Sequence, residues 1–164
     1  MDYNRTNIIA SLATTPGISA ISIIRISGSD LASLYQSITK NKTCKDRYAA
    51  YCKIFSKNQK IILDKCILIY YVFPNSYTGE DLAEFHVHGS RAVVKAMHLA
   101  IAKVNHCRLA EPGEFTKRAF QNGRINLLKA ESIADLISAE TEIQRKQALK
   151  IMSGKSSDQF NLWR

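Results

Sequence analysis

Two polar clusters lie in stretches that strand alternation would otherwise bury. In Ile21-Ser22-Ile23-Ile24-Arg25-Ile26-Ser27, alternation puts Ile21, Ile23, Arg25 and Ser27 on one face and Ser22, Ile24 and Ile26 on the other. A guanidinium sharing a face with two isoleucines needs a partner or an exit to water. Arg25 is therefore either an edge side chain reaching solvent or a ligand for an anion or carboxylate, which its fork of donors suits. In Ala83-Glu84-Phe85-His86-Val87-His88, the three polar residues project together. A carboxylate accepts two parallel hydrogen bonds, so Glu84 can read a ring edge that presents an amino group beside an N–H. Glu84, His86 and His88 could instead hold a metal, with one strand supplying every ligand, or form a solvated polar face.

Other candidate motifs carry less. Gly154-Lys155-Ser156 has the end of a phosphate-binding loop. That pattern needs a glycine where Leu149 stands, and a strand where helical spacing precedes. Thr78-Gly79-Glu80-Asp81 reads as a turn with capping acids. Cys44, Cys52, Cys66 and Cys107 have neither C-x-x-C nor zinc-ribbon spacing, which fits reduced thiols in a cytosol.

The elements that must position these residues follow from periodicity. Strands are expected over Ile8–Ala13, Ile21–Ser27, Tyr48–Phe55, Ile61–Phe73, Ala83–His88 and Arg108–Ala110, with Lys57-Asn58-Gln59 as a hairpin loop. Ser29 or Asp30 should cap a helix carrying Leu31, Leu34, Tyr35 and Ile38. Ser90 should cap another, with Val93, Met97, Ala100, Ile101 and Val104 on one face. Glu114–Gln121 reads as a helix that Gly123 ends. From Leu128 to Ser153 there is neither Pro nor Gly, and Ala130, Ile133, Ala134 and Ile137 repeat at helical spacing. One helix of about 25 residues is expected there, between Asn126 and Gly154, with no partner helix for its apolar stripe.

Hydrophobic residues are 46% and charged residues 23% of the 164, enough for an ordinary core. No apolar run reaches the roughly 18–20 residues of a membrane helix, and no signal-peptide segment follows Met1, so a cytoplasmic protein is expected. The formal charge is +9. Between Lys40 and Lys65, seven lysines and Arg47 face only Asp46 and Asp64. Such a stretch suits either a nucleic-acid footprint or a solvated hairpin.

Several blocks resemble, in order and spacing, the N-terminal part of the MnmE/TrmE family of tRNA-modification GTPases. They are Ala13 to Gly17, Ile24-Arg25-Ile26-Ser27-Gly28, Asn75 to Asp81, Glu84 with His88-Gly89, Leu109 to Asn122, and Ala130 to Ile137. The resemblance implies an α+β fold, a small mixed sheet with packed helices like other tetrahydrofolate-binding domains, followed by a long C-terminal helix. It implies a folate-binding and dimerisation domain over residues 1–122, and the first part of an all-α domain over 123–164. It further implies binding of 5-formyl-tetrahydrofolate, a one-carbon donor, with ligand contacts at Arg25, Glu84 and Arg124. A pterin has the donor edge that Glu84 can read, and the two arginines suit the carboxylates or carbonyls of a glutamate tail. A homodimer is implied as well. In the full-length family the partners are an MnmG-type flavoprotein and tRNA, and GTP, magnesium and potassium belong to a GTPase domain that the matching blocks do not reach. Hydrolysis of GTP by this chain alone is therefore not expected. The chain departs from the family where Arg124 replaces the usual Lys, Ile18-Ser19-Ala20 replaces a Gly-rich stretch, and Val87 replaces a frequent Gly or Thr. The alternative from another class is an interaction module for dimerisation or for RNA or protein docking.

Overall fold

The computed structural model describes residues 8–29, 31–40, 44–56, 60–104 and 106–153. Asp30 as a cap, the Lys57-Asn58-Gln59 loop and Gly154-Lys155-Ser156 lie outside them. The chain divides into two compact units, one up to Phe115 and one from Thr116 on.

The first unit is built on six strands: β1 (Ile8–Leu12), β2 (Ser19–Gly28), β3 (Ala50–Phe55), β4 (Ile62–Tyr71), β5 (Asp81–Gly89) and β6 (Cys107–Leu109). Their order is β3-β4-β5-β2-β1-β6. Only β1 with β6 is parallel, so the sheet is mixed. Helices α1 (Leu31–Thr39) and α2 (Arg91–Ile101) complete the unit. Ile24, Ile26, Leu68, Phe85 and Val87 from the sheet meet Leu31, Leu34, Ile38, Met97 and Ile101 from the helices in one core. Each such side chain buried contributes roughly 1.5–3 kcal/mol. The alternation expected of β2 and β5 therefore holds, with Arg25 and Glu84 on the face away from the helices.

Local chemistry sets the boundaries. Ser90 caps α2 by accepting from the Val93 amide, as its position before an apolar periodic run implies. β2 and β5 come close at Ser19 opposite Gly89. A Cβ on Gly89 would lie 2.0 Å from Ser19 Oγ and 2.5 Å from its carbonyl oxygen, so only glycine fits.

In the second unit, α3 (Glu114–Gln121) enters from the first and ends as expected, with Gly123 at φ 68°. The single long helix is not formed. α4 (Leu127–Ser138) and α5 (Glu142–Met152) replace it and pack on each other. Asn126 caps α4 as expected, accepting from the Lys129 amide. The break comes at Ala139, which is extended at ψ 122°, and at Thr141. Thr141 Oγ1 accepts from the Gln144 amide while Gln144 Oε1 accepts from the Thr141 amide, a reciprocal capping box. The box satisfies amides that a continuous helix would have bonded internally, so the chain can stop and restart without Gly or Pro. Each helix is thereby given a partner that a continuous rod would lack. Ser132 and Ala148 are buried, while Ile137 and Ile143 stay exposed.

Candidate functional site

Arg25 and Glu84 are 59 residues apart in sequence and directly opposite in register on neighbouring strands. Arg25 Nε and Nη2 both donate to Glu84 Oε1, at 2.9 and 2.7 Å. One carboxylate oxygen thus takes two of the guanidinium's five N–H donors. Among the described residues the other, Oε2, accepts only from the Tyr71 hydroxyl, at 3.4 Å, long for an O–H donor. Burial and the Glu84 charge beside it push the Tyr71 phenol above its ordinary value, so it stays protonated and able to donate.

Aromatic rings frame the pair. The Arg25 guanidinium lies over Tyr77 at 5.4 Å and over Phe115 at 5.8 Å from the ring centroids. Such stacking holds the arginine flat and keeps its donors aimed at Glu84. Tyr77 belongs to the Asn75–Asp81 loop, which is pinned to β2: Thr78 and Ser27 are buried with their hydroxyls 2.6 Å apart, and Ser27 donates to Glu80. The stretch that reads as a mere turn thus closes one end of the open sheet face.

Phe115 is set by the turn before α3. The Glu114 amide donates to the Glu111 carbonyl, with Pro112 and Gly113 between them and Gly113 at φ 75°. This is the Pro-Gly arrangement of a type II turn. Glu114 then takes Arg108 on both oxygens, at 2.6 and 2.8 Å, and the Glu111 amide at 2.8 Å. This stretch is therefore a structural clasp that presents one ring to the site.

Glu84, His86 and His88 do not converge as a set of three. His88 is turned onto Asp64, which accepts its amide at 2.8 Å and lies 2.8 Å from Nδ1. His86 Nε2 is 3.9 Å from Glu84 Oε2 and buried, with no hydrogen-bond partner among the described residues. Among the described residues no three His, Cys, Asp or Glu side chains are grouped to hold a metal. Arg124 belongs to the second unit: it is exposed in the turn between α3 and α4, its amide donating to the Ala119 carbonyl at 2.8 Å.

Of the three residues expected from the sequence, the fold pairs two. Tyr71, Tyr77 and Phe115 were not anticipated. Tyr77 and Phe115 lie inside the quoted motifs, and Tyr71 shares its strand face with Ile69 and Ile67, but no spacing links the three. The arrangement offers one carboxylate oxygen with spare acceptor capacity, a phenol donor and flat apolar walls. It fits a flat heterocycle with N–H donors on one edge.

Comparison with known proteins gives the same region a family. The model of the GTP-binding protein TrmE N-terminus matches residues 8–124. A tRNA modification GTPase MnmE from Pelagibacter ubique is 58% identical over 153 residues, covering 93% of this chain and 34% of the relative. Proteins of the same name from Parvibaculum lavamentivorans and Ehrlichia chaffeensis are 40% and 43% identical, each over 95% of this chain and 36% and 35% of their own lengths. The chain thus spans about a third of the curated relatives it matches. No described helix is long and apolar enough to cross a membrane. With the match running from β1 through the turn that holds Arg124, the chain belongs to the MnmE/TrmE family.

Proposed function

We propose that the region up to residue 122 binds 5-formyl-tetrahydrofolate at the Arg25–Glu84 pair and mediates homodimerisation, as the N-terminal part of a tRNA wobble-uridine modification GTPase. The observation that carries the folate reading is the split use of Glu84: Oε1 is saturated by Arg25, while among the described residues Oε2 takes only a long bond from Tyr71 and has room for a further donor. The pterin edge of a folate has such donors, and the rings of Tyr77 and Phe115 suit its flat body. When bound, the folate supplies a one-carbon unit. The chain's own residues bind and orient it: Glu84 takes the ring donors, Arg25 fixes the carboxylate, and Tyr71 lends a hydroxyl. Arg124 is the third proposed contact. The fold is then of the tetrahydrofolate-binding kind, and the whole protein would work in the cytoplasm with tRNA, a flavoprotein partner, GTP, magnesium and potassium.

Self-association is supported by apolar surface on the first unit, where Ile18, Ile21, Leu99 and Leu109 are exposed. Light scattering should give a dimer mass, and a monomer would remove this part of the reading. Calorimetry with 5-formyl-tetrahydrofolate should show micromolar binding, on the order of −8 kcal/mol. A folded chain giving no folate heat would favour the interaction module instead. GTP turnover by the pure chain would contradict the absence of a phosphate-binding loop from the motif reading.

A further inference from the structure

The open sheet face continues beyond the Arg25–Glu84 pair in two further rows fixed by register. The first row holds Ile69, Glu84 and Arg25. In the second, Tyr51 lies opposite Ile67, Ile67 opposite His86, and His86 opposite Ile23. Tyr51 is 69% and Ile67 43% exposed, so the end of this row on β3 and β4 is an uncovered apolar strip, with the His86 imidazole beside it. In the third row Lys53 lies opposite Lys65, both exposed. Their alternation puts them on the face of Tyr51 and Ile67, since Cys52, Ile54, Cys66 and Leu68 are buried on the other. No described residue forms an ion pair with either ammonium. The nearest acid in sequence, Asp64, is already committed to the His88 amide and ring and to the Lys65 amide.

Polar pair, apolar strip and cationic rim follow one another along the strands. We propose that Lys53 and Lys65 form the subsite for the γ-glutamyl tail of the folate, so that the chain prefers folates with several glutamates. This rests on the folate reading above. Lys65 is four residues along β4 from Ile69, the register partner of Glu84, which at about 3.4 Å per residue is roughly 14 Å. That span suits a ligand whose fused ring sits at Glu84, whose benzoyl ring crosses Tyr51 and Ile67, and whose carboxylates emerge at the lysines. Arg25 is held at the ring end of the site, because its Nε and Nη2 donate to Glu84 and its guanidinium lies between two aromatic rings. Two exposed ammonium groups gain more from a chain of carboxylates than from one, and the gain weakens as salt rises.

The test is calorimetry on the whole chain with monoglutamyl and triglutamyl 5-formyl-tetrahydrofolate. At low salt the triglutamyl form should bind about tenfold more tightly. The difference should fall below about twofold in Lys53→Ala/Lys65→Ala and in wild type at high salt, and return in Lys53→Arg/Lys65→Arg. Monoglutamyl binding without a tail preference, or a preference surviving the alanine pair, overturns the tail subsite alone. Failure of both forms to bind wild type overturns the folate reading and the subsite with it. Unchanged thermal unfolding of the variants shows that the lysines act on the ligand and not on the fold.

Discussion

Two arginine–glutamate pairs in the first unit have the same chemistry and different consequences. Arg108 and Glu114 meet fork to fork, and the Glu111 amide takes one of the same carboxylate oxygens, so both oxygens are held by short bonds. Arg25 and Glu84 meet on one oxygen, and the second faces a phenol at 3.4 Å and the His86 Nε2 at 3.9 Å. Glu84 and Glu114 are almost equally shielded, with side chains 13% and 8% exposed. Burial therefore does not separate the pairs. What separates them is unfilled acceptor capacity, which is complete in the clasp and open in the site.

This comparison can be broken by substitution. Glu114→Gln should cost the most stability, about 3 kcal/mol, because it leaves Arg108 without its carboxylate and frees the Glu111 turn. Urea unfolding measures it, and a cost below about 1 kcal/mol would mean that the clasp is not structural. Glu84→Gln should show the opposite balance. It turns one acceptor into a donor facing donors, and should weaken folate binding by about 1.5–3 kcal/mol in calorimetry while costing less stability than Glu114→Gln.

Asp64 sharpens the contrast by pH. Burial alone would raise its carboxyl, but the His88 amide, the His88 ring and the Lys65 amide together hold it below the ordinary value. The folded state then binds this proton less readily than the unfolded chain. The stabilisation is full above the ordinary aspartate value of about 3.9 and is lost as pH falls below it through the folded value. Acid unfolding of Asp64→Asn should accordingly be flatter than that of wild type in that range. Smallest of all, Tyr71→Phe removes a long hydrogen bond and should change stability by less than about 0.5 kcal/mol. A larger loss would show that Glu84 Oε2 is held as firmly as Oε1.

The sequence exposed these features unevenly, for physical reasons. Period-two alternation alone placed Arg25 and Glu84 on polar-bearing faces, because a buried opposite face enforces it. Their pairing was not legible, since it depends on β5 lying beside β2 rather than on spacing within either strand. The rings of Tyr71, Tyr77 and Phe115 come from three separate segments and carry no shared period. α3 was readable to the residue because Glu114 and Gly123 mark its ends. The expected long helix failed where Thr141 and Gln144 stand three apart, a capping box already written in the sequence but outweighed by the absence of Gly and Pro. The resemblance supplied Arg124, and nothing in local pattern would have chosen it.

The central claim is that the open oxygen of Glu84, and not the filled carboxylate of Glu114, receives the ligand. Amide chemical-shift mapping on the isotope-labelled chain during titration with 5-formyl-tetrahydrofolate tests it most directly. The account predicts saturable shifts at Tyr71, Tyr77, Glu84 and His86, with Arg108, Leu109 and Glu111 unmoved. Shifts confined to the Arg108–Glu114 clasp, or none at Glu84 and His86 at saturation, would contradict it.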